Sequence, residues 1–175
     1  GGVIGHGRTL YEPAVRIPLI WSVPGGRRGA RVGTPVSLLD VLPTLLELAG
    51  AEPASGVDGL SLVPALREGR EPAPRSFILE TERHPDSVWV GLVDEQWKYM
   101  LSTLAPGRTG SLLVNLAVDP GETRDCKAEH TEIAGQMHQS LEAWSGAREA
   151  RQAQRRSTWL DPKREQELRS LGYLK

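Results

Sequence analysis

Gly5-His6-Gly7-Arg8-Thr9-Leu10-Tyr11-Glu12-Pro13-Ala14-Val15-Arg16-Ile17-Pro18-Leu19-Ile20-Trp21 is the stretch from which the rest of the chain is best read. A histidine between two glycines predicts a tight loop, because glycine turns freely and lets backbone approach a bound group closely. The aromatic–acidic pair Tyr11-Glu12 follows. Residues 16–23, RIPLIWSV, then place Ile17, Leu19, Ile20 and Trp21 in a short apolar run that Pro24-Gly25-Gly26 closes. That run predicts a buried strand with Pro18 at its beginning, where the missing N–H is tolerated. The chain opens on Gly1 and reaches this loop within a few residues, which predicts a site whose other half lies upstream.

Outward from that stretch, residues 25–33 are rich in glycine and arginine and predict an exposed loop. Residues 40–50 carry a helix signal. Asp40 is a good N-cap, Pro43 falls in the first turn, and Gly50 follows as a stop. Val41, Leu42, Leu45, Leu46, Leu48 and Ala49 cover most of its surface, so the helix is expected to be buried. Residues 61–67 predict a short helix, and Pro72 and Pro74 mark an extended connector. The period then becomes strand-like over 76–80, 87–93, 97–102 and 112–116, with Asp94-Glu95-Gln96 as a hairpin turn. Asp119-Pro120-Gly121-Glu122 is a turn signal. From about Ala128 a second helix follows, its apolar stripe made of Ile133, Met137, Leu141 and Trp144.

Composition bounds the function. The chain has 175 residues, 39% hydrophobic and 25% charged, which suits a folded domain rather than disorder. A formal net charge of -1 offers no general field for nucleic acid. Arg148, Arg151, Arg155 and Arg156 are interrupted by Glu149 and lack interleaved aromatics, so they read as a solvated helix face. The single cysteine, Cys126, excludes an internal disulfide framework and a cysteine-based zinc site. No apolar run approaches the roughly 20 residues of a membrane span.

The opening stretch resembles the sulfatases of the alkaline-phosphatase superfamily just past their second metal-binding loop. Residues 35–50, PVSLLDVLPTLLELAG, resemble that family's late core helix, and Val57-Asp58-Gly59-Leu60-Ser61-Leu62 the loop after it. Trp97-Lys98-Tyr99, then Asn115-Leu116-Ala117-Val118-Asp119-Pro120-Gly121-Glu122-Thr123, resemble a C-terminal strand leading to an Asp-Pro-x-Glu turn. The closing Leu171-Gly172-Tyr173-Leu174 resembles the tail of bacterial members. The family's nucleophile motif, Cys or Ser followed by x-Pro-x-Arg, has no match, since Cys126 precedes Lys127-Ala128-Glu129-His130.

The resemblance implies an α/β fold. Residues 1–70 would be the C-terminal part of a sulfatase α/β domain, 75–146 a small antiparallel α+β subdomain with a packed helix, and 147–175 a helical tail. It implies a sulfuric ester hydrolase that is inactive as this fragment. Its divalent metal, calcium, would have ligands outside this chain, and its formylglycine nucleophile would lie upstream. The partners implied are a sulfated small molecule or glycan and the N-terminal part of the same domain, without nucleic acid or a membrane span. A periplasmic or secreted location is in keeping with the family. A phosphoester or phosphonate hydrolase, a phosphoglycerol transferase, and a non-catalytic binding domain remain as alternatives.

In the family a Lys or His shortly before the Tyr-Glu segment contacts the sulfate. Here that candidate is His6, whose imidazolium would donate to a sulfate oxygen or to the leaving alkoxide; the alternative is an ordinary loop histidine. Arg8 and His84 are candidates for substrate contact, each set against a solvated loop position. Glu12 and Arg16, four residues apart, are expected to pair or to brace the site loop. His130 and His138 are expected to be exposed and lack a second ligand at metal spacing.

Overall fold

The computed structural model describes residues 9–81, 87–104 and 108–159. They fall into two compact units, Gly1–Asp125 and Cys126–Lys175.

The first unit is organised by a four-stranded sheet. Strands β1 (Phe77–Glu80), β2 (Ser87–Asp94), β3 (Trp97–Leu104) and β4 (Arg108–Asn115) lie in sequence order, each antiparallel to the next. The hairpin between β2 and β3 pairs Asp94 with Trp97 and turns through Glu95, whose φ of 51° is positive. The expected antiparallel sheet is therefore present. Strand β4 starts four residues earlier than the apolar run 112–116 predicted, because Thr109, Gly110 and Ser111 pair along β3 despite their polarity. Alternation across β3 puts Lys98, Met100 and Ser102 on one face, all essentially buried. Tyr99 belongs to the opposite face with its register partners Leu92 and Leu113, and these three are buried too.

Ahead of the sheet, α1 (Glu12–Val15) is a single turn and α2 (Val41–Leu48) the main helix, preceded by a 3-10 turn, Leu38–Asp40. Helix α2 ends as expected. Gly50 takes a φ of 67°, its N–H reaches Glu47 O and the Ala51 N–H reaches Leu46 O, the paired bonds of a Schellman stop. Its start differs from the expectation. Ser37, not Asp40, is the capping residue: its Oγ accepts from Leu39 N while the Asp40 carboxylate accepts from Ser37 N at 2.8 Å.

Asp40 is wholly buried and does more than close that box. Its carboxylate also accepts from Leu60 N at 2.8 Å and from the Arg75 guanidinium. Burial alone would raise its pKa, but the Arg75 bond and the two backbone N–H groups outweigh it and hold the carboxyl below its ordinary 3.8. One turn on, Thr44 Oγ1 donates to Asp40 O at 2.5 Å and accepts from Leu62 N at 2.9 Å. The loop through Gly59 is thus stitched to the start of α2. A Cβ at Gly59 would lie 1.9 Å from Leu39 O, so only glycine fits there. After this loop a π-type turn, Pro64–Glu68, replaces the short helix expected over 61–67, and buries Ala65 beside a buried Leu62 and Val63.

Two expectations are corrected. Residues 16–23 form no strand: their main chain finds no ladder partner among the described residues, and Ile17 and Ile20 are 53% and 88% exposed. An apolar run makes a strand only when another strand supplies the hydrogen bonds. Helix α2 is also not buried all round. Leu42 and Leu45 are about half exposed, and Leu38 and Leu39 more so, which leaves one apolar face open.

In the second unit, α3 (Thr131–Trp159) takes in both the predicted amphipathic stretch and the arginine-rich residues beyond it. Met137 and Leu141 of the predicted stripe are buried, along with Ala134. His130 is exposed; His138 is partly exposed and lies 3.2 Å from Glu142. Arg148 stacks 5.5 Å over the Trp144 ring. The closing stretch 171–174 falls outside the described residues.

Two outcomes test this account. Gly59→Ala should lower stability by roughly 1–3 kcal/mol, the usual cost of forcing extra volume into a packed site, and a thermal melt indistinguishable from wild type would refute the close contact. The second concerns acid. Because the folded pKa of Asp40 lies below 3.8, its stabilising contribution is complete above that pH and disappears as pH falls through the folded value. Thermal melts of Asp40→Asn and wild type should therefore differ most near neutrality and converge as pH falls through the lowered folded value; a gap of constant size from neutrality into acid would contradict the ion pair.

Candidate functional site

His6, Arg8 and His84 lie outside the described residues, so no position or contact is assigned to them. What the structure does show is how the segment immediately after His6 and Arg8 is held. Leu10 is buried, and its Cδ1 would sit 3.1 Å from a Cβ added to Gly91, so strand β2 is bare where Leu10 rests on it. Pro13 suits the first turn of α1, where its missing N–H costs nothing. Tyr11 O accepts from Ala14 N and Val15 N, which closes that turn and fixes the direction of Glu12.

Glu12 does not pair with Arg16 as its spacing suggested. Its Oε1 lies 3.0 Å from Lys98 Nζ, and its own backbone N–H donates to Glu122 Oε2. Lys98 Nζ is in turn 2.8 Å from Glu122 Oε1, an ion contact rather than an aligned hydrogen bond. Lys98 is completely buried, the Glu122 side chain is nearly so, and Glu12 retains some exposure. Three segments far apart in sequence therefore meet at one ammonium group: the Tyr-Glu turn, the Trp-Lys-Tyr strand and the Asp-Pro-Gly-Glu turn.

The last of these is shaped to present its acid inward. Asp119 accepts from Arg124 N at 2.9 Å and from Thr123 N at 2.8 Å, which hold its carboxyl below the usual range. Asp119 N and Val118 N both reach Asn115 O at the end of β4. Glu122 takes a φ of 54°, unusual for a residue with a side chain. Such a conformation persists only where its surroundings over-determine it; here the Asp119 turn on one side and Lys98 on the other do so.

Lys98 and Glu122 were not among the residues the sequence singled out. Lys98 had one available signal, since it is in phase with Met100 and Ser102 on a strand and so belongs to their face. Glu122 had its place in the Asp-Pro-x-Glu turn, but nothing in the sequence pointed to its burial, because acids are common in exposed turns. Among the described residues no group of three or more His, Cys, Asp or Glu side chains could hold a metal ion. They do not make the metal centre that the family resemblance implies, and no chemical step is assigned to one here. Cys126 is buried and makes no disulfide. No helix of the described residues is long and apolar enough to cross a membrane.

Comparison with known proteins bears on the whole of this arrangement. The family described as N-sulphoglucosamine sulphohydrolase, C-terminal, matches residues 5–146. Choline-sulfatase of Rhizobium meliloti (strain 1021) is 32% identical over 159 residues, covering 84% of this chain and 30% of its own length. Arylsulfatase K of Danio rerio is 29% identical over 139 residues, covering 76% of this chain and 26% of its own. The chain thus spans between a quarter and a third of the length of these curated relatives. Among solved structures, BT4656 in complex with its substrate D-glucosamine-2-N,6-O-disulfate superposes with a TM-score of 0.51 at 26% identity, over 61% of this chain and 23% of that one. Ps i-CgsB in complex with k-i-k-neocarrahexaose gives 0.51 at 25% identity, over 64% and 24%.

Truncating one partner of a buried ion pair strands the other, at a typical cost of 3–5 kcal/mol. Lys98→Ala should therefore destabilise the chain by about that amount, and by more than Glu12→Ala, since Glu12 is partly exposed. Chemical denaturation of the two variants checks both the size and the order.

Proposed function

Because the chain belongs to the N-sulphoglucosamine sulphohydrolase C-terminal family, we propose that it is the C-terminal part of a sulfatase that hydrolyses sulfate esters once joined to the remainder of its catalytic domain. The observation that carries this reading is the family match itself, which runs unbroken from the glycine-flanked His6 loop to the middle of α3. In this reading residues 1–70 complete the α/β domain, 75–146 form the antiparallel subdomain and 147–175 the tail. The open apolar face of α2, with the exposed Ile17 and Ile20 of the unpaired run, supports it, as surface of that kind calls for a protein partner. The partner proposed is the upstream part of the same domain, whose sheet would pair residues 16–23 and cover α2.

Within that assembly His6 donates a proton or a hydrogen bond to the sulfate oxygens or the departing alkoxide, and Arg8 and His84 contact the anion. A divalent ion, calcium in this reading, with its ligands outside this chain, would supply a Lewis acid, and a formylglycine hydrate upstream would supply the nucleophile. The substrate class proposed is a sulfated sugar or small molecule. Its support is the names of the relatives and the sulfated glucosamine bound to BT4656.

The test is turnover. The full-length protein should release sulfate from an aryl sulfate or a sulfated glucosamine, and the 175-residue chain alone should not. His6→Ala in the full-length enzyme should lower kcat by roughly 10²–10⁴-fold with an unchanged melting temperature. A change below about tenfold, some 1.4 kcal/mol in barrier, would remove His6 from the site. Release of phosphate, but not sulfate, from matched esters would replace the sulfatase reading with a phosphoesterase.

A further inference from the structure

We propose that Lys98 and Glu122 are positioning residues that hold in one place the segment following His6 and Arg8, acting through Glu12. The inference rests on the sulfatase reading for its bearing on the reaction, but its structural half stands on the geometry of the ion triad.

Two independent links converge on the same residue. The Glu12 carboxylate is bound by Lys98 Nζ at 3.0 Å, and the Glu12 backbone N–H is bound by Glu122 Oε2. A side-chain link alone would leave the main chain free to slide, and a main-chain link alone would leave it free to rotate. The two together fix both position and orientation. Leu10, buried over Gly91, adds a third point two residues earlier. Glu12 is six residues from His6 and four from Arg8 in the chain, so the anchor stands at the root of that loop.

The composition of the anchor argues against a purely stabilising role. A buried ion cluster is costly to desolvate, and apolar side chains of similar volume often stabilise as well or better. What an ion cluster supplies and an apolar cluster does not is direction. One ammonium group between two carboxylates from separate turns accepts a single arrangement of the chain, whereas packed methyl groups accept several. For a residue that must meet a transition state, misplacement by about 1 Å can lower the rate by about 10²-fold, so a directional anchor has a use beyond folding.

The experiment compares Glu12→Ala with Glu12→Gln, because Gln keeps an oxygen for Lys98 Nζ. Both are made in the full-length protein and read by hydrogen exchange and by steady-state kinetics on an aryl sulfate. In Glu12→Ala the amides of residues 10–16 should exchange at least tenfold faster, while Met100 and Ser102 on β3 keep their protection and so report an intact sheet. kcat should fall by about 10–10²-fold with KM moving much less, and Glu12→Gln should recover most of both losses. Lys98→Met combined with Glu122→Leu, which removes both partners of Glu12 and leaves its partly exposed carboxylate to water, should give the same local release. Unchanged exchange over residues 10–16 in both Glu12→Ala and the double variant overturns the inference. So does faster exchange with wild-type kcat in an enzyme that hydrolyses sulfate esters, which would leave the sulfatase reading standing. Should the wild-type protein release no sulfate at all, that reading fails, and the exchange measurement alone still decides whether the triad holds the segment.

Discussion

Lys98 is taken wholly out of water and placed between two carboxylates, one of them on a turn 86 residues earlier in the chain. Desolvating an ammonium group is affordable to a fold only when its partners are fixed and close. That requirement propagates outward. The Asp119 turn must fold as it does, down to the positive φ of Glu122, for one carboxylate to arrive. The Tyr11 turn must close for the other to arrive, and Leu10 just before it must find bare backbone at Gly91. A lysine near the start of β3 therefore governs, together with the Glu12 N–H bond to Glu122, how two turns far apart in the chain meet.

A second polar centre does comparable work elsewhere in the same unit. Asp40 and Thr44 draw the start of α2, the loop through Gly59 and the approach to β1 into one web of charge-assisted and backbone bonds. The two centres differ in composition. At Asp40 one carboxylate is satisfied by a guanidinium and two backbone N–H groups, a set that lowers its pKa. At Lys98 one ammonium group serves two acids. The first is well suited to holding a helix in place. The second is more demanding, and it fixes the turn that follows His6 and Arg8 in the chain.

The apolar surface around α2 is incompletely used. Leu62, Val63 and Ala65 are buried beneath the web, while Leu38, Leu42 and Leu45 face outward from α2 and its preceding turn. The web of hydrogen bonds is thus made within this unit, but its apolar surface is left partly open.

The linear sequence was enough to locate the elements that depend on neighbours in the chain. The meander of strands, the hairpin at Glu95, the Gly50 stop and the Asp119 turn all rest on short-range patterns, and the family match follows from motifs in order. It failed where an outcome depended on a distant partner. RIPLIWSV has the composition of a strand, but a strand exists only beside another. Asp40 looked like a cap, but the backbone of Leu60 and the charge of Arg75 drew it into a buried network. Glu12 had Arg16 at helical spacing, but a buried lysine on β3 competed for it and won, because an ion pair removed from water is screened far less than one at the surface. Local hydrogen-bonding preferences are written along the chain; which charges are removed from water together is decided only when the chain has closed on itself.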